Sequence, residues 1–215
     1  KSENINVVND DPPNTETWNS GGKNYIFTDG SCYPNNKSKK SRAGYSCIFA
    51  SGNIKGELYG HLDYTKIGAS NIRAEGTAII KVIENIINYE ERLKKVNQKY
   101  HTGKSKYNIV TDCEFWINMI YTYIPAWDPK SYNRRANPDL VKKIWVLWNR
   151  VILLADVVLL HIRSHNKGRW GDEPIGTYKR WCYEFNKKAD LLCGKARTEL
   201  KLGDEICKIK YAGVP

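Results

Sequence analysis

The pattern of hydrophobic and polar positions divides the chain into a strand-rich first part and a second part in which strands and helices alternate. Runs of β-branched and aromatic residues predict strands at 25–28, 43–50 and 54–62, with hairpin residues between the last two. From Asn71 hydrophobic residues recur at three- and four-residue steps, which predicts an amphipathic helix that fades at 92–99.

The remainder of the chain alternates helices with strands. We predict, in order, a strand at 107–111, a short helix to Ile120, a basic aromatic loop at 125–138, a helix from Asn137 to about Leu154, a strand at 157–162 and a helix at 177–200. This order predicts an α/β fold: a five-stranded mixed sheet, with three antiparallel strands and then two parallel ones, flanked by helices. We expect a flexible leader at 1–23, one domain at 24–200 and a tail at 201–215.

Charge narrows the class of partner. The 215 residues include 34 Lys and Arg against 23 Asp and Glu, a formal net charge of +11. Such an excess favours a polyanionic partner, nucleic acid first and an acidic membrane second. No apolar run approaches the roughly 18 residues of a membrane span.

The cysteines and the N-terminus indicate an intracellular protein. The spacing of the six cysteines is irregular and contains no C-x-x-C, so we expect reduced thiols and no structural zinc site, despite the pair His161 and His165. Residues 1–23 lack the basic start and apolar stretch of a signal peptide. Because the chain begins at Lys1 rather than Met, we expect that upstream sequence has been removed.

Four acidic residues stand where the predicted elements would bring them together. Asp29 and Asp112 each follow a strand, Glu75 lies in the first turn of the first long helix, and Asp190 lies in the last helix. Ligands gather at the carboxyl ends of parallel strands. Because clustered carboxylates repel one another, a hard cation such as Mg²⁺ would resolve their charge, and two such ions can support phosphodiester hydrolysis.

Each acid also has an ordinary structural explanation. Asp29 could be a turn residue, Asp112 a helix cap, Glu75 a partner of the helix dipole, and Asp190 part of a solvated helix face. The combination of all four in this order is more specific than any one of them.

Short motifs around these acids resemble those of one family. They are Tyr-Ile-Phe-Thr-Asp-Gly-Ser-Cys at 25–32, Arg-Ala-Gly at 42–44, Asn-Ile-Arg-Ala-Glu at 71–75, Ile-Val-Thr-Asp at 109–112, His-Ile-Arg-Ser-His at 161–165 and Asn-Lys-Lys-Ala-Asp at 186–190. The chain from about Tyr25 to Ala196 therefore resembles type 1 ribonuclease H, which cuts the RNA strand of RNA–DNA hybrids. Arg-Ala-Gly and Arg-Ala-Glu are most similar to eukaryotic-type cellular enzymes.

The resemblance implies a ribonuclease H-like fold and a two-metal mechanism with Mg²⁺, for which Mn²⁺ can substitute. It implies that Asp29 bridges two ions, that Asp190 joins it on the ion carrying the attacking water, and that Glu75 and Asp112 hold the ion on the leaving-group side. His165 would assist proton transfer or product release from a mobile loop.

The resemblance also implies contacts to the hybrid. Asn35 and Asn71 would contact the minor groove, and Phe115 and Tyr123 would pack on the sugars of the DNA strand. Trp127, Arg134 and Arg135 lie in a protrusion that would grip the duplex, and Asn137 would lie near a DNA phosphate. Each has a structural alternative: a turn or cap for the asparagines, core packing for the aromatic pair and a solvated basic loop for the protrusion.

The sequence departs from the family at three places. Ile72 replaces a polar minor-groove residue, and Gly68 stands where eukaryotic-type enzymes carry a phosphate-binding Arg, for which Lys66 is a possible substitute. An insert at about 168–181 lengthens the interval between His165 and Asp190. We expect either a lid or substrate arm there, or a surface excursion that packs its tryptophans.

The leading hypothesis is therefore a monomeric intracellular endonuclease acting on RNA–DNA hybrids, with no membrane partner. Three alternatives stay open: the ribonuclease H part of a reverse transcriptase, a hybrid-binding module without cleavage, and a related nuclease that cuts DNA.

Overall fold

The computed structural model describes residues 18–35, 40–63, 68–96 and 103–214. Within them a single mixed sheet has the strand order β5-β4-β1-β2-β3-β6. Its strands are β1 (Asn24–Tyr33), β2 (Arg42–Ser51), β3 (Ile54–His61), β4 (Lys106–Thr111), β5 (Asp156–His161) and β6 (Glu205–Tyr211). Strands β1, β2, β3 and β6 pair antiparallel in that order, whereas β4 and β5 run parallel to β1.

In the described residues, five α-helices accompany the sheet. They are α1 (Asn71–Val96), α2 (Glu114–Asn118), α3 (Ile124–Ala126), α4 (Pro138–Leu154) and α5 (Tyr178–Glu199). A π-helical segment (Met119–Tyr123) joins α2 to α3, and 3-10 turns occur at Pro129–Arg134 and Trp170–Asp172. Helices α1 and α4 pack together over one face of the sheet, and α5 packs against β1 and β2 on the other.

The hydrophobic stripe of α1 explains how this layer forms. Ile79, Ile83 and Ile86 lie three and four residues apart, and all three side chains are fully buried in the larger core. Burial of each such side chain contributes roughly 1.5–3 kcal/mol. The first turn of α1 is thereby held over the sheet. No helix in the described part of the chain is long and apolar enough to cross a membrane.

The expectation of five strands is wrong, because residues 205–211 of the predicted tail form a sixth. Strand β6 pairs along β3, with Leu58 opposite Cys207. Its side chains are mostly exposed, so it lacks the hydrophobic alternation that marks a half-buried strand. The hydroxyl of Tyr45 in β2 donates a 2.5 Å hydrogen bond to Glu205, which also binds Lys81 at 3.0 Å. These long-range contacts, the ladder with β3 and the packing of Ile209 and Tyr211 against the larger core hold β6 on the sheet.

Two regions differ from the predicted outline. Residues 125–138, predicted as a loop, contain helical turns up to Arg134. Trp18, in the predicted leader, is buried beside Tyr25 and Trp181. Some predicted features lie outside the described residues. They are leader residues 1–17, loop residues 36–39, Lys66, and residues 97–99, where the first long helix was predicted to end.

Candidate active site

The register between β1 and β4 brings the first two acids together. Thr28 pairs with Thr111, the last residue of β4, and Asp29 and Asp112 each follow directly. Because these strands are parallel and in this register, Asp29 and Asp112 lie side by side where β4 ends, although β1 itself continues to Tyr33. The backbone N–H of Gly30 donates a 2.8 Å hydrogen bond to Asp29 Oδ1.

Glu75 reaches this edge because Gly30 allows a close approach. A Cβ atom on Gly30 would lie 2.4 Å from the backbone nitrogen of Glu75, so a side chain there would push α1 away from β1. Carboxylate oxygens of Asp29, Glu75 and Asp112 all lie within 4.8 Å of one another. Gly30 therefore lets α1 pack close enough to β1 for Glu75 to lie beside Asp29.

A second group of ligand atoms shares Asp29 with the first. An oxygen of Asp29, an oxygen of Asp190 and the thiol sulfur of Cys193 lie within 4.8 Å of one another. Gly44 in β2 permits this arrangement, because a Cβ there would lie 2.1 Å from the carbonyl oxygen of Cys193 in α5. The four acids predicted from the sequence are thus gathered around Asp29, and Cys193 is an additional member.

Burial and mutual repulsion define the electrostatics. Burial raises the pKa of Asp29 well above its ordinary value, and the charge of Asp112 raises it further. Burial also raises the pKa of Glu75, with the charge of Asp29 as the next cause. Glu75 Oε2 is buried with no hydrogen-bond partner in the described part of the protein. Several oxygen donors with unsatisfied negative charge fit a hard divalent cation.

His165 lies in the loop after β5 and is exposed. Its neighbour Ser164 was not among the predicted site residues, yet its hydroxyl donates a 2.8 Å hydrogen bond to Asp112 Oδ2. The sequence could have indicated Ser164 as a site residue, because it directly precedes His165 and follows β5, the strand parallel to β4. This bond ties the His165 loop to the acidic cluster.

The two predicted minor-groove asparagines contact each other. Asn35 Oδ1 accepts a 2.9 Å hydrogen bond from the backbone N–H of Asn71, and Asn71 Oδ1 accepts one of 2.6 Å from the backbone N–H of Cys32. The cap role considered for Asn71 is not what the structure shows, because its side chain bonds β1 and it is Ser70 whose hydroxyl accepts a hydrogen bond from the backbone N–H of Arg73 in the first turn of α1. In both asparagines the side-chain oxygen is engaged at the start of α1, four residues before Glu75.

The predicted aromatic and basic residues form an exposed surface beside α2 and α3. Tyr123 stacks on Trp127 with ring centroids 6.5 Å apart, and the guanidinium of Arg135 lies 4.2 Å from the Trp127 centroid. Phe115 is partly exposed, and Arg134 is exposed at the end of a 3-10 turn. Flat rings interleaved with cations are suited to sugars and phosphates.

Asn137 is the N-cap of α4, but its side chain makes no capping hydrogen bond. The residue has a left-handed backbone with φ of 53°, and its Oδ1 accepts a 3.3 Å hydrogen bond from Arg73 in α1. Arg73 is buried and was not among the predicted site residues. Its position within Arg-Ala-Glu was visible in the sequence, whereas its partner on α4 was not.

The insert packs its aromatic residues. Trp170 and Tyr178 are buried, and Trp18 lies with ring centroids 5.0 Å from Tyr178 and 4.4 Å from Trp181. The backbone N–H of Trp18 donates a 2.8 Å hydrogen bond to the carbonyl of Gly176. Helix α5 already begins at Tyr178, so the end of the predicted insert is helical. These contacts favour the packed excursion over the lid.

A mixed sheet with helices on both faces carries buried acids on β1 and α1 and a third acid directly after β4, a donor set suited to a hard divalent cation. A family model described as RNase H matches residues 22–197, and the chain belongs to the RNase H family. A search of curated protein sequences finds no match.

Solved structures share the fold. The foamy viral protease-reverse transcriptase in complex with dsDNA superposes with a TM-score of 0.52 at 18% identity, covering 84% of this chain and 97% of that one. The same viral protein in complex with an RNA/DNA hybrid superposes with a TM-score of 0.53 at 15% identity, covering 82% of this chain and 20% of that one. LC9-RNase H1, a type 1 RNase H with the type 2 active-site motif, superposes with a TM-score of 0.52 at 12% identity, covering 87% of this chain and 78% of that one.

Proposed function

We propose that this protein is an endonuclease that hydrolyses the RNA strand of RNA–DNA hybrids with two divalent metal ions, Mg²⁺ or, in its place, Mn²⁺. The observation that carries the proposal is the sharing of Asp29 between two groups of ligand atoms, one with Glu75 and Asp112 and one with Asp190. A carboxylate common to two groups is the arrangement that a two-metal centre requires.

The roles of the acids follow from where they lie. Glu75 and Asp112 would hold one ion with Asp29, and Asp190 would join Asp29 on the other. When bound, the ions supply an activated water and stabilise the leaving oxygen. Bound cations would favour the ionised form of the buried acids, whose pKa values are raised in the metal-free protein. The exposed ring of His165 would accept or deliver the proton.

Hybrid recognition is assigned to the surfaces beside the acids. Asn35 and Asn71 would meet the minor groove, where 2′-hydroxyls distinguish RNA from DNA. The Tyr123–Trp127 stack and Phe115 would face the DNA-strand sugars. Arg134, Arg135 and Asn137 would contact phosphates of the duplex. The hybrid in the structure of the foamy viral enzyme supports this class of substrate.

Within the family, we propose a type 1 enzyme of the eukaryotic cellular kind, monomeric and intracellular, with an insertion before Asp190. The motifs Arg-Ala-Gly and Arg-Ala-Glu support this assignment. The second candidate is the ribonuclease H portion of a reverse transcriptase, which the fold shared with the foamy viral enzyme favours. The complete open reading frame distinguishes the two.

Cleavage assays test the function directly. Labelled RNA–DNA hybrid, double-stranded RNA and double-stranded DNA are incubated with Mg²⁺, with Mn²⁺ or with EDTA. We expect metal-dependent cuts in the RNA of the hybrid alone. Asp29→Asn should abolish them, whereas Asp172→Asn, an exposed acid in the insert, should not. Cleavage that survives in both Asp29→Asn and Asp112→Asn would overturn the assignment.

A further inference from the structure

A cysteine lies inside the acidic cluster. Cys193 is one helical turn after Asp190 on α5, and its side chain is completely buried. Its sulfur lies within 4.8 Å of carboxylate oxygens of both Asp29 and Asp190. The sulfur donates a 3.1 Å hydrogen bond to the backbone carbonyl of Asp190, one turn earlier in α5.

The fold holds the thiol in this position from two sides. The missing side chain of Gly44 lets the Cys193 backbone approach β2. The hydroxyl of Ser46, two residues further along β2, donates a 2.6 Å hydrogen bond to the carbonyl of Ala189 in α5. Together these contacts leave the Cys193 turn little freedom to move away from Asp29.

The surroundings favour a cation. On the other side of Asp29, the buried Oε2 of Glu75 has no hydrogen-bond partner among the described residues. This oxygen, buried beside Asp29, is therefore left without a protein donor within the described part of the chain.

The donor set differs from that of an all-oxygen site. Mg²⁺ prefers oxygen ligands, whereas Zn²⁺ and Cd²⁺ combine readily with thiolate and carboxylate together. We propose that Asp29, Asp190 and Cys193 form a site for a soft or borderline divalent cation, Zn²⁺ or Cd²⁺, that excludes Mg²⁺ from the same two carboxylates and inhibits the enzyme. On binding, the sulfur–metal bond replaces the S–H bond and the proton passes to solvent.

The inhibitory consequence rests on the proposed function, whereas binding itself does not. Two measurements therefore separate them: the ultraviolet charge-transfer band of a Cd²⁺–thiolate bond, and the Zn²⁺ concentration that halves Mg²⁺-dependent cleavage. The variants are Cys193→Ala and Cys193→Ser. The matched control is Cys182→Ala, since Cys182 is equally buried on α5 but lies against Tyr178. Cleavage is expressed relative to the activity of each variant without Zn²⁺.

We expect the Cd²⁺ band in the wild type and in Cys182→Ala, and its loss in both Cys193 variants. The Zn²⁺ concentration for half inhibition should rise by about 10- to 100-fold in the Cys193 variants, as a metal site loses at least that affinity when its supporting groups are removed. Circular dichroism checks that each variant is folded, and the serine variant serves if the alanine variant is not.

A Cd²⁺ band that persists without Cys193, or that disappears instead in Cys207→Ser, would overturn the site, since Cys207 is an exposed thiol on β6. The proposed function fails separately if the wild type does not cut the hybrid in Mg²⁺ while the band still depends on Cys193. Hybrid cleavage with a band independent of Cys193 would refute the soft-metal site alone.

Discussion

Arg73 at the start of α1 and Asp139 at the start of α4 form a two-pronged ion pair, with nitrogen–oxygen distances of 2.9 and 2.6 Å. The Arg73 side chain is 9% exposed and that of Asp139 is 42% exposed. The same guanidinium binds Asn137, so one buried cation joins the helix of Glu75 to the turn that carries a proposed phosphate contact.

Replacing Asp139 by Ala should destabilise the fold by about 1–3 kcal/mol, because the buried guanidinium loses its charged acceptor. Arg73→Lys should not preserve stability, since an ammonium cannot form the paired geometry. Urea denaturation measures both. Asp172→Ala removes the exposed pair with Arg169 and should change stability by less than about 0.5 kcal/mol. Equal losses in the two alanine variants would contradict the role of burial.

The acidic cluster should make the metal-free protein less stable as the pH rises. The pKa values of Asp29 and Glu75 are raised in the fold, so the folded state retains protons that the unfolded chain releases from about pH 4 upward. Thermal unfolding in EDTA should show the melting temperature falling from about pH 4 toward the raised pKa values.

Removing one charge or adding metal should reverse that loss. Asp29→Asn should melt higher than the wild type in EDTA at pH 8. Mg²⁺ at about 100 times its dissociation constant should stabilise the wild type by about 2.7 kcal/mol and should have little effect on Asp29→Asn. The same Mg²⁺ response in both proteins would show that the cluster is not the binding site.

His165→Ala should reduce kcat by about 10²- to 10⁴-fold with little change in KM, if the exposed ring transfers a proton rather than binding the duplex. Steady-state cleavage of a hybrid measures both constants. Lys167→Ala, in the same exposed loop, provides the control. A rise in KM without a change in kcat would instead indicate a substrate contact.

Glu205→Ala should destabilise the fold by about 1–3 kcal/mol, because the hydroxyl of Tyr45 loses its acceptor and Lys81 loses its ion pair. In a double-mutant cycle with Tyr45→Phe, the double variant should lose less stability than the two single variants lose together. Since β2 and β3 separate β6 from β1, kcat should remain unchanged. Lys208→Ala, an exposed neighbour on β6, should leave stability intact.

Trp18→Ala should destabilise the fold by about 3–5 kcal/mol, since it empties a position enclosed by Tyr25, Tyr178 and Trp181. Amide hydrogen exchange should increase in the insert, whose Gly176 carbonyl binds the Trp18 backbone. Tyr33→Ala, which removes an exposed ring, should do neither. Unchanged exchange in the insert would mean that Trp18 does not hold it.

The proximity of Asp29 and Asp112 could be predicted from the chain alone, because each acid directly follows a run of strand-forming residues and the helical crossover makes those strands parallel. The structure corrects one detail, since β1 continues past Asp29 to Tyr33. Glu75 was predictable from helical periodicity, which turns its face toward the sheet. Strand β6 was not, because its side chains are mostly exposed and its pairing with β3 is long-range.

The sequence by itself indicated the order of the first five strands and the long helices, and which four acids would lie together, because hydrophobic periodicity and strand-forming runs are local properties. Only the tertiary structure decided that Arg73 binds Asp139, that Ser164 binds Asp112 and that Cys193 joins Asp29. Each of these contacts depends on how closely two separate elements approach. At Gly44 that distance is set by an absent side chain, which no local pattern of the chain can indicate.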